Sequence, residues 1–142
     1  MADRYWLFSC SVANTRKDME TILVVDDDPV MLWVVTNALT NSGYQVMVAQ
    51  DGAAGLEMFL ADPYAVDLII TDLMMPFLNG IEMVEQIKAV RPQARIVLMS
   101  AFPEAVISKL KEPQHPLIRK PFLMEDLIRV VRATIDPPFA HA

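Results

Sequence analysis

Six side chains in this sequence could do chemistry together: Asp26, Asp27 and Asp28 in one run, then Asp72, Ser100 and Lys120. Each group stands directly behind a short apolar run. Carboxylates gathered in one place repel one another, and at least one pKa must rise unless a cation sits among them. A hard divalent ion such as magnesium meets that need, because it takes oxygen ligands and is commonly held by one or two carboxylates plus water and phosphate oxygens. Ser100 would add a hydroxyl donor and Lys120 a fixed positive charge, so an anion is expected at the same place. A phosphoryl group requires such a set: a metal and a lysine to neutralise its oxygens, a hydroxyl donor, and a carboxylate to attack or orient. Taken singly, each residue has an ordinary explanation. Acids after strands are often solvated turn formers, Asp28 reads best as a helix cap, serine ends many strands, and Lys-Pro is a frequent loop pair.

The elements needed to bring these residues together are legible. From Ile22 short apolar runs alternate with longer amphipathic stretches, the pattern of five β-α units around a parallel sheet. Ile22 to Val25 is uninterrupted by polar residues, as a strand covered on both faces should be. Asp28 then serves as N-cap, Pro29 suits the first helical position, and Gly43 supplies the stop. A second strand is predicted over Gln45 to Ala49, with a helix over Ala53 to Leu60 that Pro63 closes. A third strand covers Asp67 to Thr71, followed by a loop from Asp72 to Gly80 that contains Pro76 and the turn pair Asn79-Gly80. A helix from Ile81 to Val90 ends before Pro92. Strands are predicted at Arg95 to Met99 and Leu117 to Arg119, with a weak helix near Glu104 to Lys111 between them. A last helix covers Met124 to Ile135, ended by Pro137-Pro138. Right-handed crossovers turn this order into a doubly wound sheet with helices on both faces, whose ligands belong at the carboxyl ends of the strands.

Composition narrows the partners. With 54% hydrophobic residues in 142, the chain can bury one substantial core without a metal or disulfide staple. A formal net charge of −6 argues against a general grip on nucleic acid or anionic lipid, so partners should be proteins or cations. The single cysteine, Cys10, rules out a disulfide framework within the chain and fits a reducing cytoplasm. Tyr5 to Val12 is too short to span a bilayer and lacks the flanks of a signal peptide, so no membrane attachment is expected. Residues 1–19 read as an arm or linker, 20–136 as the folded domain and 137–142 as a tail. His115 and His141 lie away from the expected crevice. The pair Gly52 and Gly55 lacks the third glycine and the lysine of a nucleotide-binding loop, and Met31, Met83 and Met99 read as core filling.

Taken jointly, the motifs resemble the bacterial response-regulator receiver domain. The matching segments are Ile22 to Asp27, Asp67 to Pro76 with Asn79-Gly80, Val97 to Ala101, and Lys120-Pro121-Phe122, in family order over Thr21 to Ile135. The resemblance implies a flavodoxin-like domain with five parallel strands in the order 2-1-3-4-5. It implies that Asp72 is the phosphoacceptor, attacking the phosphohistidine of a sensor histidine kinase or phosphotransfer protein. Asp26, Asp27, Asp72 and the backbone carbonyl of Met74 would hold Mg2+. Lys120 would pair with the phosphoryl group and Ser100 would donate to one of its oxygens. Movement of Ser100 would report to a downstream protein through the face built from the fourth helix, fifth strand and last helix. The Lys-Pro peptide is usually cis in that family, which extends to Lys120-Pro121. The chain would be no enzyme in its own right, limited to self-phosphorylation from phosphodonors and slow self-dephosphorylation, with no output domain.

Two departures from the family pattern stand out. The aromatic residue usual three positions before the lysine is replaced by Leu117, and the proline-rich segment Lys109 to Pro116 lacks the usual Gly-Ala turn. The residues two beyond the phosphoacceptor and two beyond the serine are Met74 and Phe102, both apolar, which implies slow loss of the phosphoryl group. Leu117 keeps open a pseudo-receiver that binds partners without phosphorylation. A haloacid-dehalogenase-like phosphohydrolase using Asp26 and Asp28 is a third reading, opposed by the residues after Asp28 and by the little room left for a cap.

Overall fold

Alternation along the buried strands decides which helix covers which face. The computed structural model describes residues 19–75, 78–101 and 115–136. Its elements are β1 (Thr21–Val25), α1 (Pro29–Asn41), β2 (Gln45–Ala49), α2 (Gly52–Ala61), β3 (Leu68–Asp72), α3 (Gly80–Val90), β4 (Ile96–Ser100), β5 (Leu117–Arg119) and α4 (Met124–Ile135). All sheet pairs are parallel, in the order β2-β1-β3-β4-β5. The doubly wound, flavodoxin-like sheet expected from the sequence is therefore present. The weak helix expected near Glu104 to Lys111 lies outside the described residues.

Successive strand side chains point to opposite faces. Ile22, Val24, Leu68, Ile70, Val97 and Met99 face one way and pack with Leu32, Val35 and Leu39 of α1 and Leu127, Val131 and Ile135 of α4. Leu23, Val25, Ile69, Ile96 and Leu98 face the other way onto Phe59 of α2 and Met83, Val84 and Ile87 of α3. Fully burying each large aliphatic chain contributes about 1.5–3 kcal/mol, so a polar residue at Val24 or Leu23 would open one whole layer. Met83 and Met99 are core residues, and Met31 packs at the edge of the α1 layer.

The helix starts follow local chemistry. Asp28 caps α1 by accepting from the Val30 amide at 3.0 Å, with Pro29 at the first helical position. Gly43 follows the C-cap at φ 97, a conformation that suits glycine. Asn79 is an N-cap rather than half of a free turn. It accepts from the Glu82 amide at 2.9 Å while Glu82 accepts from its own, a capping box that makes Gly80 the first residue of α3. Two strands run one residue further than the apolar runs predict. The ladder continues through Asp72 opposite Met99 and through Ser100 opposite Arg119, because the backbone pairs whatever the side chain. The Lys120–Pro121 peptide is cis.

Candidate functional site

The sheet reverses its winding between β1 and β3, and the site lies where their carboxyl ends part. Val25 is in register with Thr71, so Asp26 and Asp72 stand side by side one step further along. Asp26 is fully buried and Asp72 nearly so, while Asp27 and Asp28 are exposed. Lys120 follows β5 and crosses to both acids. Its Nζ lies 2.7 Å from Asp26 Oδ2 and 2.8 Å from Asp72 Oδ2.

The second oxygen of each buried carboxylate meets a backbone amide. Asp28 N donates to Asp26 Oδ1 at 2.9 Å, and Met74 N donates to Asp72 Oδ1 at 3.1 Å. The backbone around them is equally tied. Leu73 N donates to the Met99 carbonyl at 2.9 Å, Lys120 N to the Ser100 carbonyl at 2.8 Å, and the buried Thr71 hydroxyl to the Asp72 carbonyl at 3.0 Å. Ser100 is fully buried, one residue past the register partner of Asp72.

Three negative charges meet one positive charge here. Burial pushes the Asp26 carboxyl above its ordinary range, against the opposing pull of the Lys120 hydrogen bond and the Asp28 amide. Burial by itself would lower the Lys120 ammonium. The hydrogen bonds to Asp26 and Asp72 outweigh it, so the lysine stays charged above its ordinary range.

Carboxylate oxygens of Asp26, Asp27 and Asp72 all lie within 4.8 Å of one another. This donor set is hard oxygen throughout and carries a surplus of negative charge, which fits magnesium rather than a thiophilic or imidazole-seeking ion. Asp28 is spent capping α1, which leaves the Asp-x-Asp phosphohydrolase reading without its acid.

Of the predicted site residues, the structure brings Asp26, Asp27, Asp72 and Lys120 together and sets Ser100 on the adjoining strand. Met74 reaches Asp72 through its amide, and its side chain is exposed. Leu117 is half-buried and packs into the layer beneath α2 and α3. Phe102 lies outside the described residues. The position of Lys120 between two carboxylates was not anticipated, since sequence alone assigned the lysine only to an incoming anion. Among the described residues no helix is long and apolar enough to cross a membrane.

Residues 22–132 match the family described as the response regulator receiver domain. The chain is 37% identical over 126 residues to the DNA-binding transcriptional regulator NtrC of Azospirillum brasilense, covering 84% of this chain and 26% of that protein. It is 30% identical over 118 residues to the chemotaxis protein CheY of Bacillus subtilis, covering 81% of this chain and 97% of that one. The chain thus spans about a quarter of the first relative and nearly all of the second. Among solved structures, a response regulator receiver domain protein from Clostridium thermocellum superposes with a TM-score of 0.77 at 26% identity, over 87% of this chain and 100% of its own.

Proposed function

Because the chain belongs to the response regulator receiver family of two-component systems, we propose that it takes a phosphoryl group onto Asp72 from a phosphohistidine donor and signals through protein contacts. The observation that carries this reading is the lysine bridge: a partly buried ammonium held on both Asp26 and Asp72, at the point where the sheet parts. An Asp72 carboxylate oxygen attacks phosphorus, the phosphorus–nitrogen bond breaks, and the donor's imidazole leaves. Lys120, already beside Asp72, pairs with the phosphoryl oxygens, and Ser100 donates a hydrogen bond to one of them. Asp26, Asp27, Asp72 and the Met74 carbonyl would hold magnesium, which when bound supplies positive charge against the oxygens of the incoming group.

Exposed apolar residues occur in the segments that surround this crevice. Val30 and Trp33 lie in the first turns of α1, Met74 just beyond Asp72, and Leu123 just beyond Lys120; Trp33 is 70% exposed. A macromolecular donor must cover this rim to reach Asp72, and aromatic anchors carry much of such contacts. Phosphorylation by acetyl phosphate tests the reading: the parent takes up label and Asp72→Asn takes up none. Undiminished labelling of the variant would reject Asp72 as the acceptor.

A further inference from the structure

We propose that Gly52, the first residue of α2, is a positioning residue for the phosphoacceptor: its missing side chain lets α2 close against the backbone of the loop that carries Asp72 and Met74. The proposal rests on the phosphorylation reading and deepens it. It also accounts for a residue that function has left unexplained, the glycine at the first position of α2.

Gly52 is buried. A Cβ there would be driven into the carbonyl oxygen of Leu78, with the carbonyl carbon at 3.0 Å and the Leu78 Cβ at 3.1 Å. A flexible side chain could swing away from such a clash, but backbone cannot. Nor can α2 retreat. Asp51 caps it by accepting from the Ala54 amide at 2.7 Å, and Phe59 anchors it in the core with no exposure. The loop must therefore yield.

The loop passes the displacement on because it is tied where it matters. Met74 N holds Asp72 Oδ1 at 3.1 Å, and Gly80 N closes the loop onto the Leu73 carbonyl at 2.9 Å. On the α3 side, a Cβ on Gly80 would collide with the Asp72 carbonyl oxygen. Leu78 and Asp72 thus each lie against the first residue of a helix, Leu78 against Gly52 of α2 and Asp72 against Gly80 of α3. A push at Leu78 moves Met74 and Asp72 relative to Asp26 and Lys120, which follow other strands.

Gly55 supplies the control. The nearest atoms a Cβ there would meet are all side-chain atoms of the core, Val25 at 2.8 Å and 3.3 Å and Met83 at 3.1 Å, not backbone of the loop. Its substitution lowers stability without moving the acceptor.

The test compares Gly52→Ala, Gly55→Ala and the milder Asp51→Ala, which frees the first turn of α2 without a clash. Magnesium affinity is read from backbone amide shifts, labelling by acetyl phosphate at saturating Mg2+ gives the rate, and thermal unfolding gives the stability. Misplacing reacting groups by about an ångström costs on the order of a hundredfold. Gly52→Ala is expected to weaken Mg2+ binding and slow labelling by about tenfold to a hundredfold, and Asp51→Ala to weaken both less. Gly55→Ala keeps both at parent values despite its lower melting temperature. A folded Gly52→Ala with the parent's affinity and rate overturns the proposal, as does a loss that merely follows stability in both glycine variants. Should Gly52→Ala not fold, Asp51→Ala decides, and parent-like Mg2+ binding in it overturns the proposal. A parent protein that neither binds Mg2+ nor takes label overturns the functional reading itself, an outcome distinct from both.

Discussion

Replacing Asp26 by asparagine removes a buried charge at nearly constant shape, and the geometry sets both the sign and the size of the effect. At an effective dielectric of about 20, Lys120 at 2.7 Å attracts the ionised carboxylate by about 6 kcal/mol. Asp72, with an oxygen within 4.8 Å, repels it by about 3.5 kcal/mol or more. Asp27 adds a smaller repulsion, because it is exposed and screened. Repulsion thus cancels more than half of the attraction, and the cost of removing Asp26 from water, several kcal/mol, exceeds what remains and decides the sign. An amide oxygen can still accept from Lys120. Asp26→Asn is therefore expected to stabilise the fold by about 1–2 kcal/mol at neutral pH, or roughly 3–6 °C in Tm. The pH dependence follows from the raised Asp26 carboxyl. The folded state binds that proton more tightly than the unfolded chain, so the parent loses stability as pH rises from the ordinary value of 3.8 through the folded pKa. The variant escapes this loss, so its advantage is absent at the acid end of that window and complete above it. Urea titrations at about pH 4 and pH 7, in chelator, measure both. A variant less stable at neutral pH, or one with the same gain at both values, rules out burial of the Asp26 charge as the source of the gain.

Magnesium at ten times its Kd should raise the parent's stability by about 1.4 kcal/mol; Asp27→Ala should lose most of that gain in calorimetry, and an undiminished gain counts against the acidic cluster as the site. Trp33→Ala should slow phosphotransfer from a partner kinase by about tenfold or more while leaving acetyl phosphate labelling untouched, since only a macromolecular donor covers that rim; equal effects on both donors would contradict the docking role. Met74→Asn and Phe102→Glu should speed phosphate release from the phosphorylated protein by roughly tenfold to a hundredfold, by orienting the attacking water. If neither variant nor the pair alters release in excess Mg2+, apolar cover at these positions does not set the lifetime.

Most of the architecture was readable because parallel strands covered on both faces are written as unbroken apolar runs. Ile22 to Val25 and Leu68 to Ile70 announce themselves, and α4 was readable to its ends. The acids were legible as candidates because they directly follow those runs. What could not be read is what contacts through space decide. Lys120 is 94 residues from Asp26 and 48 from Asp72, and nothing in its own neighbourhood says that it bridges them. Asp72 and Ser100 were placed beyond their strands because polar side chains end an apolar run without ending a ladder. Asn79 and Glu82 carried a capping signature that the adjacent glycine disguised as a turn. Gly52 answers to a carbonyl of Leu78, a neighbour that no local pattern can supply.

As the proposed phosphoacceptor, Asp72 should become an acyl phosphate. Phosphorylating the full chain with acetyl phosphate and Mg2+, then reducing with borohydride, converts an aspartyl phosphate to homoserine, which peptide mass spectrometry locates. Homoserine is expected at position 72 alone, dependent on Mg2+ and absent from Asp72→Asn. Homoserine at Asp26 or Asp27, or unmodified protein where a control receiver domain is fully converted, would contradict it.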